Sequence, residues 1–353
     1  MIDVLTGWYR RHFSSPQVVM LAILLISGFT IIIFLGDILI PLLASIVIAY
    51  LLEALVLKLE KYGVPRLAAV FIVFTVFMTL LVTSVVGLVP LISEQLTQFL
   101  KEMPRMISRL QELLLQLPGH YPHFISEGYI KEIMRSFSSE AGAMGQMALS
   151  FSLSSLRGVI TWLVYLILII ILVFFFLKDK QAIIEWMTHY LPKERDLAKQ
   201  VWHEMDQQIG NYVRGKIVEI LIVGAASFVA FAWMGLNYAV LLALLVGLSV
   251  LVPFVGATIV TIPVALIAFF QWGWSSEFAY LMLAYGIIQA LDGNVLVPLL
   301  FSEAVNLHPV AIIVSIVLFG GLWGVWGVFF AIPLATLVKA VLNAWPQFST
   351  IKG

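Results

Sequence analysis

Long apolar stretches dominate this chain, and short polar segments separate them. About eight such stretches can be recognised, and most are near the ~20 residues that a helix needs to cross a bilayer. Six of them are uninterrupted and cover residues 18–36, 38–57, 67–90, 158–177, 217–235 and 278–299. Backbone groups in lipid must bond within their own segment, so this pattern predicts an all-α polytopic membrane protein. Gly36-Asp37 and Pro41 predict a tight reversal between the first two spans.

The other two hydrophobic stretches, residues 239–270 and 309–342, are broken near the middle by Gly and Pro. The first would form a helix of ~48 Å against a hydrocarbon core of ~30 Å, too long for one straight span. Its break lies at Pro253-Phe254-Val255-Gly256, and that of the second stretch lies between Gly320 and Gly327. Each stretch is therefore either a kinked span or a re-entrant hairpin.

A faint internal repeat relates the two broken stretches. An offset of 71 residues aligns Leu251 with Leu322 and Gly256 with Gly327. If both stretches are hairpins, one enters from outside and the other from the cytoplasm. Such an inverted pair places a binding site near the middle of the membrane.

Lysine and arginine in the connecting segments set the expected orientation. They cluster before the first span, between the second and third, and between the fourth and fifth, which makes these regions cytoplasmic. Both termini are then cytoplasmic. The expected organisation is spans one to three in 1–90, an extracytoplasmic amphipathic helical region in 91–157, span four in 158–178, a cytoplasmic helical hairpin in 179–216, a transport core in 217–343 and a cytoplasmic tail in 344–353.

Composition narrows the function. Hydrophobic residues make up 61% of the chain and charged residues 11%, against about 25% charged residues in soluble domains. Lys+Arg and Asp+Glu balance at 20 each, which gives no basic surface for nucleic acid. The absence of cysteine excludes disulfides and thiol catalysis. No phosphate-binding loop or zinc-protease motif occurs, so we expect neither an enzyme nor a bound cofactor or metal.

Asp292 is the sharpest candidate for chemistry. It stands with Gln289, Gly293 and Asn294 inside an apolar segment, where an ionised carboxylate costs ~2.5–3.5 kcal/mol or more. One interpretation is a site for substrate or a coupling ion. The other is a turn, because Asp-Gly-Asn also ends helices and Asp292 would then only cap the backbone.

Further residues are candidates for the path of a solute, and each has two possible interpretations. Glu219 near the start of span five either reaches the surface or faces the interior as a proton site. Pro253, Gly256, Gly324 and Gly327 either pack helices closely or expose backbone to a solute. We therefore predict that the path of a substrate or ion is lined by Asp292, Asn294, Gly293, Gln289, Glu219, Pro253, Gly256, Gly324 and Gly327.

Several motifs together resemble the autoinducer-2 exporter-like (AI-2E) family of permeases. They are Leu177-Lys178-Asp179, Tyr190-Leu191-Pro192, Tyr212-Val213-Arg214-Gly215-Lys216, Pro253-Phe254-Val255-Gly256, Asp292-Gly293-Asn294-Val295-Leu296-Val297-Pro298, Leu307-His308-Pro309 and Gly327-Val328-Phe329-Phe330-Ala331-Ile332-Pro333. The resemblance implies a multipass, homo-oligomeric protein of the bacterial cytoplasmic (inner) membrane. It also implies export of a small signalling molecule or sodium/proton antiport. The family commonly has Glu where Asp292 stands.

We therefore expect a secondary transporter of a small solute, embedded in the lipid bilayer, with Asp292 and Asn294 at the site and the broken stretches as mobile walls. The first alternative is a sodium (or lithium)/proton antiporter. The second is a membrane scaffold that transports nothing and recruits partners through its amphipathic regions.

Overall fold

The computed structural model describes residues 16–120, 161–190, 196–253, 255–301 and 307–344. Helices fill this part of the chain, and it contains no strand, which confirms the all-α prediction. Six helical segments are long and apolar enough to cross a membrane. The helices are α1 (Pro16–Lys61), α2 (Arg66–His120), α3 (Thr161–Lys178), α4 (Lys180–His189), α5 (Asp196–Trp233), α6 (Ala239–Ser249), α7 (Val255–Trp272), α8 (Ser276–Leu291), α9 (Val297–Phe301) and α10 (Pro309–Ala344).

Helix α1 folds back on itself. Near its start, the Gln17 side chain accepts a hydrogen bond from the Leu197 N–H, and further along Tyr50 OH donates to the Asp206 carbonyl at 3.0 Å. In a straight helix the two α1 residues would lie ~50 Å apart, whereas their partners on α5 are only ~14 Å apart. The chain between them therefore bends sharply, which confirms the predicted reversal, and Pro41 lies in this stretch.

Two predicted boundaries do not interrupt the helices. Span three continues into the amphipathic region as the single helix α2, through Pro90 and Pro104. The second arm of the predicted cytoplasmic hairpin is also continuous with span five, so the boundary between 216 and 217 falls inside α5. Gly215, next to this boundary, does not end the helix; it lies within α5 and packs against the Phe301 ring. The predicted turn at Leu191-Pro192, the rest of the 91–157 region beyond residue 120 and the tail after residue 344 lie outside the described residues.

The first broken stretch is a helical hairpin. Helices α6 and α7 are joined by a short turn, and a Cβ atom on Gly256 would collide with the Ser249 carbonyl. The arms therefore touch backbone to backbone at this crossing, which only glycine permits. The outer face of α6 also packs closely on α5, where a Cβ on Gly247 would lie 3.0 Å from the Ile220 carbonyl and 3.1 Å from Gly224 Cα. We call residues 239–272 the first hairpin.

The second broken stretch, α10, repeats this design. Gly324 adopts φ 59° and ψ −134°, outside helical geometry, and divides the stretch into two arms. A Cβ on Gly327 would collide with the Phe319 carbonyl, and one on Gly320 would lie 2.8 Å from Val328 Cγ2. Gly256 and Gly327, aligned by the 71-residue offset, thus occupy equivalent crossing points. We call residues 309–344 the second hairpin, and a fold-back rather than a straight kinked span describes both stretches.

The hairpins open toward opposite ends of α5. The first begins directly after α5 ends, and its turn reaches back so that the Val250 carbonyl accepts a hydrogen bond from Lys216. In the second hairpin, Ile332 packs with Tyr212 and Val213, and Ala340 packs with Val201. Its second arm therefore runs antiparallel to α5, and its open end faces the beginning of α5. This is the relation expected of an inverted pair.

A buried carboxylate joins the first four helices. Glu53 on α1 is 6% exposed, and both of its oxygens lie 3.3 Å from Arg66 Nη2 on α2. The same Arg66 nitrogen donates to the Leu177 carbonyl on α3 at 2.9 Å, and Lys180 Nζ on α4 lies 3.1 Å from Glu53 Oε1. This network closes one end of the apolar cluster that α1, α2 and α3 form around Val56, Val70 and Val173.

Replacing the crossing glycine of the first hairpin should destabilise the protein. In Gly256→Ala the new methyl meets the backbone of Ser249, which cannot swing away as a side chain could, and overpacking of this kind costs about 1–3 kcal/mol. The midpoint of thermal unfolding in detergent should fall. Gly286→Ala is the matched control, because nothing lies within 4 Å of its added Cβ on α8 and alanine favours helices by about 1 kcal/mol. Equal midpoints for the two variants would contradict the crossing.

Neutralising Glu53 should also lower the unfolding midpoint. Glu53→Gln keeps the shape of the side chain but leaves Arg66 and Lys180 without their shared counter-charge. Both cations are partly exposed (28% and 41%), so the loss should stay below the ~3–5 kcal/mol of a fully buried pair. Glu60→Gln, whose carboxylate lies 3.4 Å from Arg66 and is 26% exposed, should have the smaller effect in the same measurement. The reverse order would show that Glu53 does not organise this network.

Candidate functional site

Two opposite charges lie buried one helical turn apart on α5. Lys216 and Glu219 have side chains that are 5% and 2% exposed, and Lys216 Nζ lies 2.6 Å from Glu219 Oε2. Residues three apart in a helix share a face, so the local sequence alone brings the two together. Among the described residues, Glu219 Oε2 has no hydrogen-bond partner of good geometry, so the pair is held mainly by charge. Burial in a low-dielectric environment strengthens such an attraction.

Lys216 also contacts two other parts of the fold. Its ammonium donates to the Val250 carbonyl at 2.9 Å and lies 5.0 Å from the centre of the Phe301 ring. Val250 caps the end of α6, where helix carbonyls lack partners within the helix and carry partial negative charge. Phe301 reaches α5 because Gly215 has no side chain; a Cβ there would lie 2.9 Å from the ring. The ammonium thus sits between α5, the turn of the first hairpin and the end of α9.

Asp292 approaches this pair from α8. At Asp292 the helix widens into a π turn that runs to Leu296, closed by a hydrogen bond from the Val297 N–H to the Asp292 carbonyl. Single π turns insert a residue into a helix and often occur at functional sites. The Asp292 carboxylate lies within electrostatic range of both Glu219 and Lys216. Asp292 Oδ1 and Gln289 Nε2 are buried and have no hydrogen-bond partner among the described residues.

The charges at this site do not balance. Glu219 pairs with Lys216, which leaves the second carboxylate, Asp292, without an ammonium of its own; among the described residues, Asp292 Oδ1 and Gln289 Nε2 are buried without a hydrogen bond. Buried polar groups normally find partners, and those that do not need an explanation. A proton, a small cation or a solute with hydrogen-bond donors would each supply what the carboxylates lack. The arrangement can therefore bind a positive charge, or a polar solute, inside an apolar helix bundle.

The structure groups some of the sequence-predicted residues and separates others. It packs the π turn that carries Asp292 against α5, which carries Glu219, and Gln289 lies one turn before Asp292. Glu219 faces the interior rather than the surface, and its role as a proton site stays a prediction. Gly293 and Asn294 are exposed, and the Asn294 amide donates to the Ala290 carbonyl of its own helix. A part for these two residues in the solute path stays a prediction.

The remaining candidates belong to the hairpins. Gly256 and Gly327 are buried at the backbone crossings, which fits their close-packing interpretation. Gly324 forms the bend of the second hairpin through its positive φ, and Pro253 lies half-buried in the turn of the first. Both hairpin bends are places where the backbone is irregular. Their contact with a solute is untested and also stays a prediction.

Lys216 is the candidate residue of this site that the sequence analysis missed. The charge pattern assigned it to a cytoplasmic connection, together with Arg214, but the structure buries it within α5. The signal that could have found it is the spacing of Tyr212, Lys216 and Glu219, which puts three polar side chains on one helix face. Tyr212 is 3% exposed and packs against Phe301 at 5.7 Å between ring centres.

Comparison with known proteins identifies the family of this chain. Residues 20–347 match the family described as "AI-2E family transporter". The chain belongs to the AI-2E transporter family. It is 49% identical to "Putative permease PerM" of Escherichia coli (strain K12) over 98% of both chains. It is also 26% identical to "Putative transport protein YueF" of Bacillus subtilis (strain 168), over 94% of this chain and 92% of that one.

Membership confirms the resemblance that the motifs indicated. The AI-2E match covers nearly the whole described structure, including α5, both hairpins and the π turn of α8. Together with the six membrane-length helices, it makes this chain a multipass membrane transporter. The family and its members are described as transporters or permeases rather than as enzymes.

Proposed function

We propose that this AI-2E protein is a secondary transporter that binds a small solute at Asp292 and Glu219, with Lys216 as the fixed counter-charge. The observation that carries the proposal is a second carboxylate near the Lys216–Glu219 pair: Asp292 Oδ1, on a π turn that packs against α5, is buried without a hydrogen bond among the described residues. A buried charge without a partner is costly, so a ligand that supplies the missing partner would bind favourably at this site. The solute supplies positive charge or hydrogen-bond donors.

The hairpins serve as the walls of this site. One opens toward each end of α5, so each can expose the carboxylates to a different side of the membrane. Transporters with inverted repeats alternate access in this way around a fixed central site. The lysine and arginine distribution supports cytoplasmic termini in a bacterial inner membrane, with the first hairpin entering from outside and the second from the cytoplasm.

The charge count favours a second candidate, exchange of sodium or lithium for protons. With Lys216 charged, the pair of carboxylates leaves one negative charge, which either one proton or one monovalent cation can neutralise. The two would then compete for the same oxygens on Asp292 and Glu219. Such competition is the simplest physical basis of antiport, because only one of the two ligands can occupy the site at a time.

Removing the charge of Asp292 should abolish transport without unfolding the protein. Purified protein is reconstituted into vesicles that hold a pH-sensitive dye, and gradients of sodium, lithium or potassium are imposed. Wild type should give a cation-dependent proton signal. Asp292→Asn should lose at least about nine-tenths of this signal, which corresponds to an increase of ~1.4 kcal/mol or more in the activation free energy of transport. Glu219→Gln should behave alike.

Asp196→Asn is the matched control, since the same substitution falls on an exposed residue (81%) that pairs with Lys199 at the start of α5. It should transport as wild type does. Full flux in Asp292→Asn would overturn the site. If neither the wild type nor the two carboxylate variants gives a proton signal, although all are well folded, antiport of these cations is excluded. Uptake of polar organic solutes by wild type against Asp292→Asn would then test the broader proposal.

A further inference from the structure

The ammonium of Lys216 links the candidate site to the first hairpin. It touches the Glu219 carboxylate at 2.6 Å and the Val250 carbonyl at the hairpin turn at 2.9 Å. We propose that Lys216 is a latch: it holds the turn of the first hairpin in place while Glu219 is charged, and it releases the turn when a ligand neutralises Glu219. The inference rests on the proposed function for the identity of the site, but the latch itself can be tested without transport.

The hydrogen bond to Val250 fixes the deepest point of the hairpin. Val250 ends α6, and Lys216 satisfies a carbonyl that the helix leaves unpaired. The neighbouring turn residues, Leu251 to Pro253, are only partly buried. By contrast, the last turn of α6 is held on α5 by the close contact between Gly247 and Gly224. Losing the Lys216 bond would therefore free the turn first and leave the rest of α6 on α5.

The position of the ammonium depends on the charge of Glu219. A buried lysine that loses its closest carboxylate is left uncompensated, and this is strongly unfavourable. Asp292 is the other carboxylate within electrostatic range, and it approaches from α8, a different helix from those that hold Glu219 and Val250. Neutralising Glu219 should therefore draw Lys216 toward Asp292 and away from the hairpin. Ligand binding at the carboxylates is in this way coupled to movement of the hairpin turn.

The phenylalanine ring limits where the ammonium can go. Phe301 lies 5.0 Å from Lys216 Nζ and packs against Gly215, so it covers the ammonium on the α9 side. An aromatic face attracts a cation and can stabilise it during such a shift. The ammonium thus has two alternative carboxylates and one aromatic wall, which suits a short movement within the site rather than escape to solvent.

The chain contains no cysteine, which allows a direct test. A single cysteine replaces Val252 in the hairpin turn, and its labelling rate with a membrane-permeant maleimide is measured in membranes. Lys216→Met should raise this rate several-fold, because the turn loses its hydrogen bond. Lys216→Arg, which keeps a positive donor, should stay near the wild-type rate. A cysteine at the exposed Ser276, at the start of α8, should label equally in all backgrounds.

Glu219→Gln provides a second, isosteric test of the coupling. It leaves Lys216 and Val250 intact but removes the charge that holds the ammonium beside them, so labelling at position 252 should also rise. An unchanged rate in Lys216→Met overturns the latch, and an unchanged rate in Glu219→Gln overturns its coupling to the site. Equal increases at positions 252 and 276 mean general loosening and also overturn it. Because labelling needs no flux, failure of the latch and failure of the proposed transport remain distinguishable.

Discussion

Where the first hairpin crosses itself, the α-carbon of Gly256 faces the Ser249 carbonyl at a distance that admits no side chain. This contact holds the ends of α6 and α7 together next to Val250, whose carbonyl accepts the hydrogen bond from Lys216. The second hairpin depends on the same constraint at Gly327 and Phe319. Irregular backbone within a membrane must be covered by protein, and these close crossings let each arm of a hairpin cover the backbone of the other where the helix is broken.

Burial of charge follows from this geometry. Lys216 is tolerable inside the bundle because a carboxylate, a helix end and an aromatic ring surround it. The same surroundings leave Asp292 without a hydrogen bond on one oxygen and leave the carboxylates in excess. The fold thus stabilises the cation fully and the anions only in part. In the proposed mechanism, a ligand that neutralises the remaining carboxylate binds favourably, and this binding free energy is available to move the hairpins.

Much of this arrangement could be predicted from residue patterns. Apolar runs of membrane length predicted the helices, the Gly and Pro breaks located both hairpins, and the offset between Gly256 and Gly327 paired their crossings. Asp292 stood out because a carboxylate in an apolar helix is costly. The continuity of α5 was missed because Lys and Arg between 193 and 216 are typical of a solvated connection. Whether such charges are solvated depends on which residues pack against them, and the order of residues along the chain does not reveal these neighbours.

The sequence by itself determined the class of protein, the helices and the places where they break, since these follow from local hydrophobicity and backbone chemistry. Only the tertiary structure decided what the breaks do. It folded each broken stretch into a hairpin, turned the two toward opposite ends of α5, and buried Lys216 between Glu219 and Val250. It also turned Asn294 outward while Asp292 stayed near the pair. The reason is physical: the energy of a charge in a membrane protein depends on its neighbours in space, and those come from distant parts of the chain.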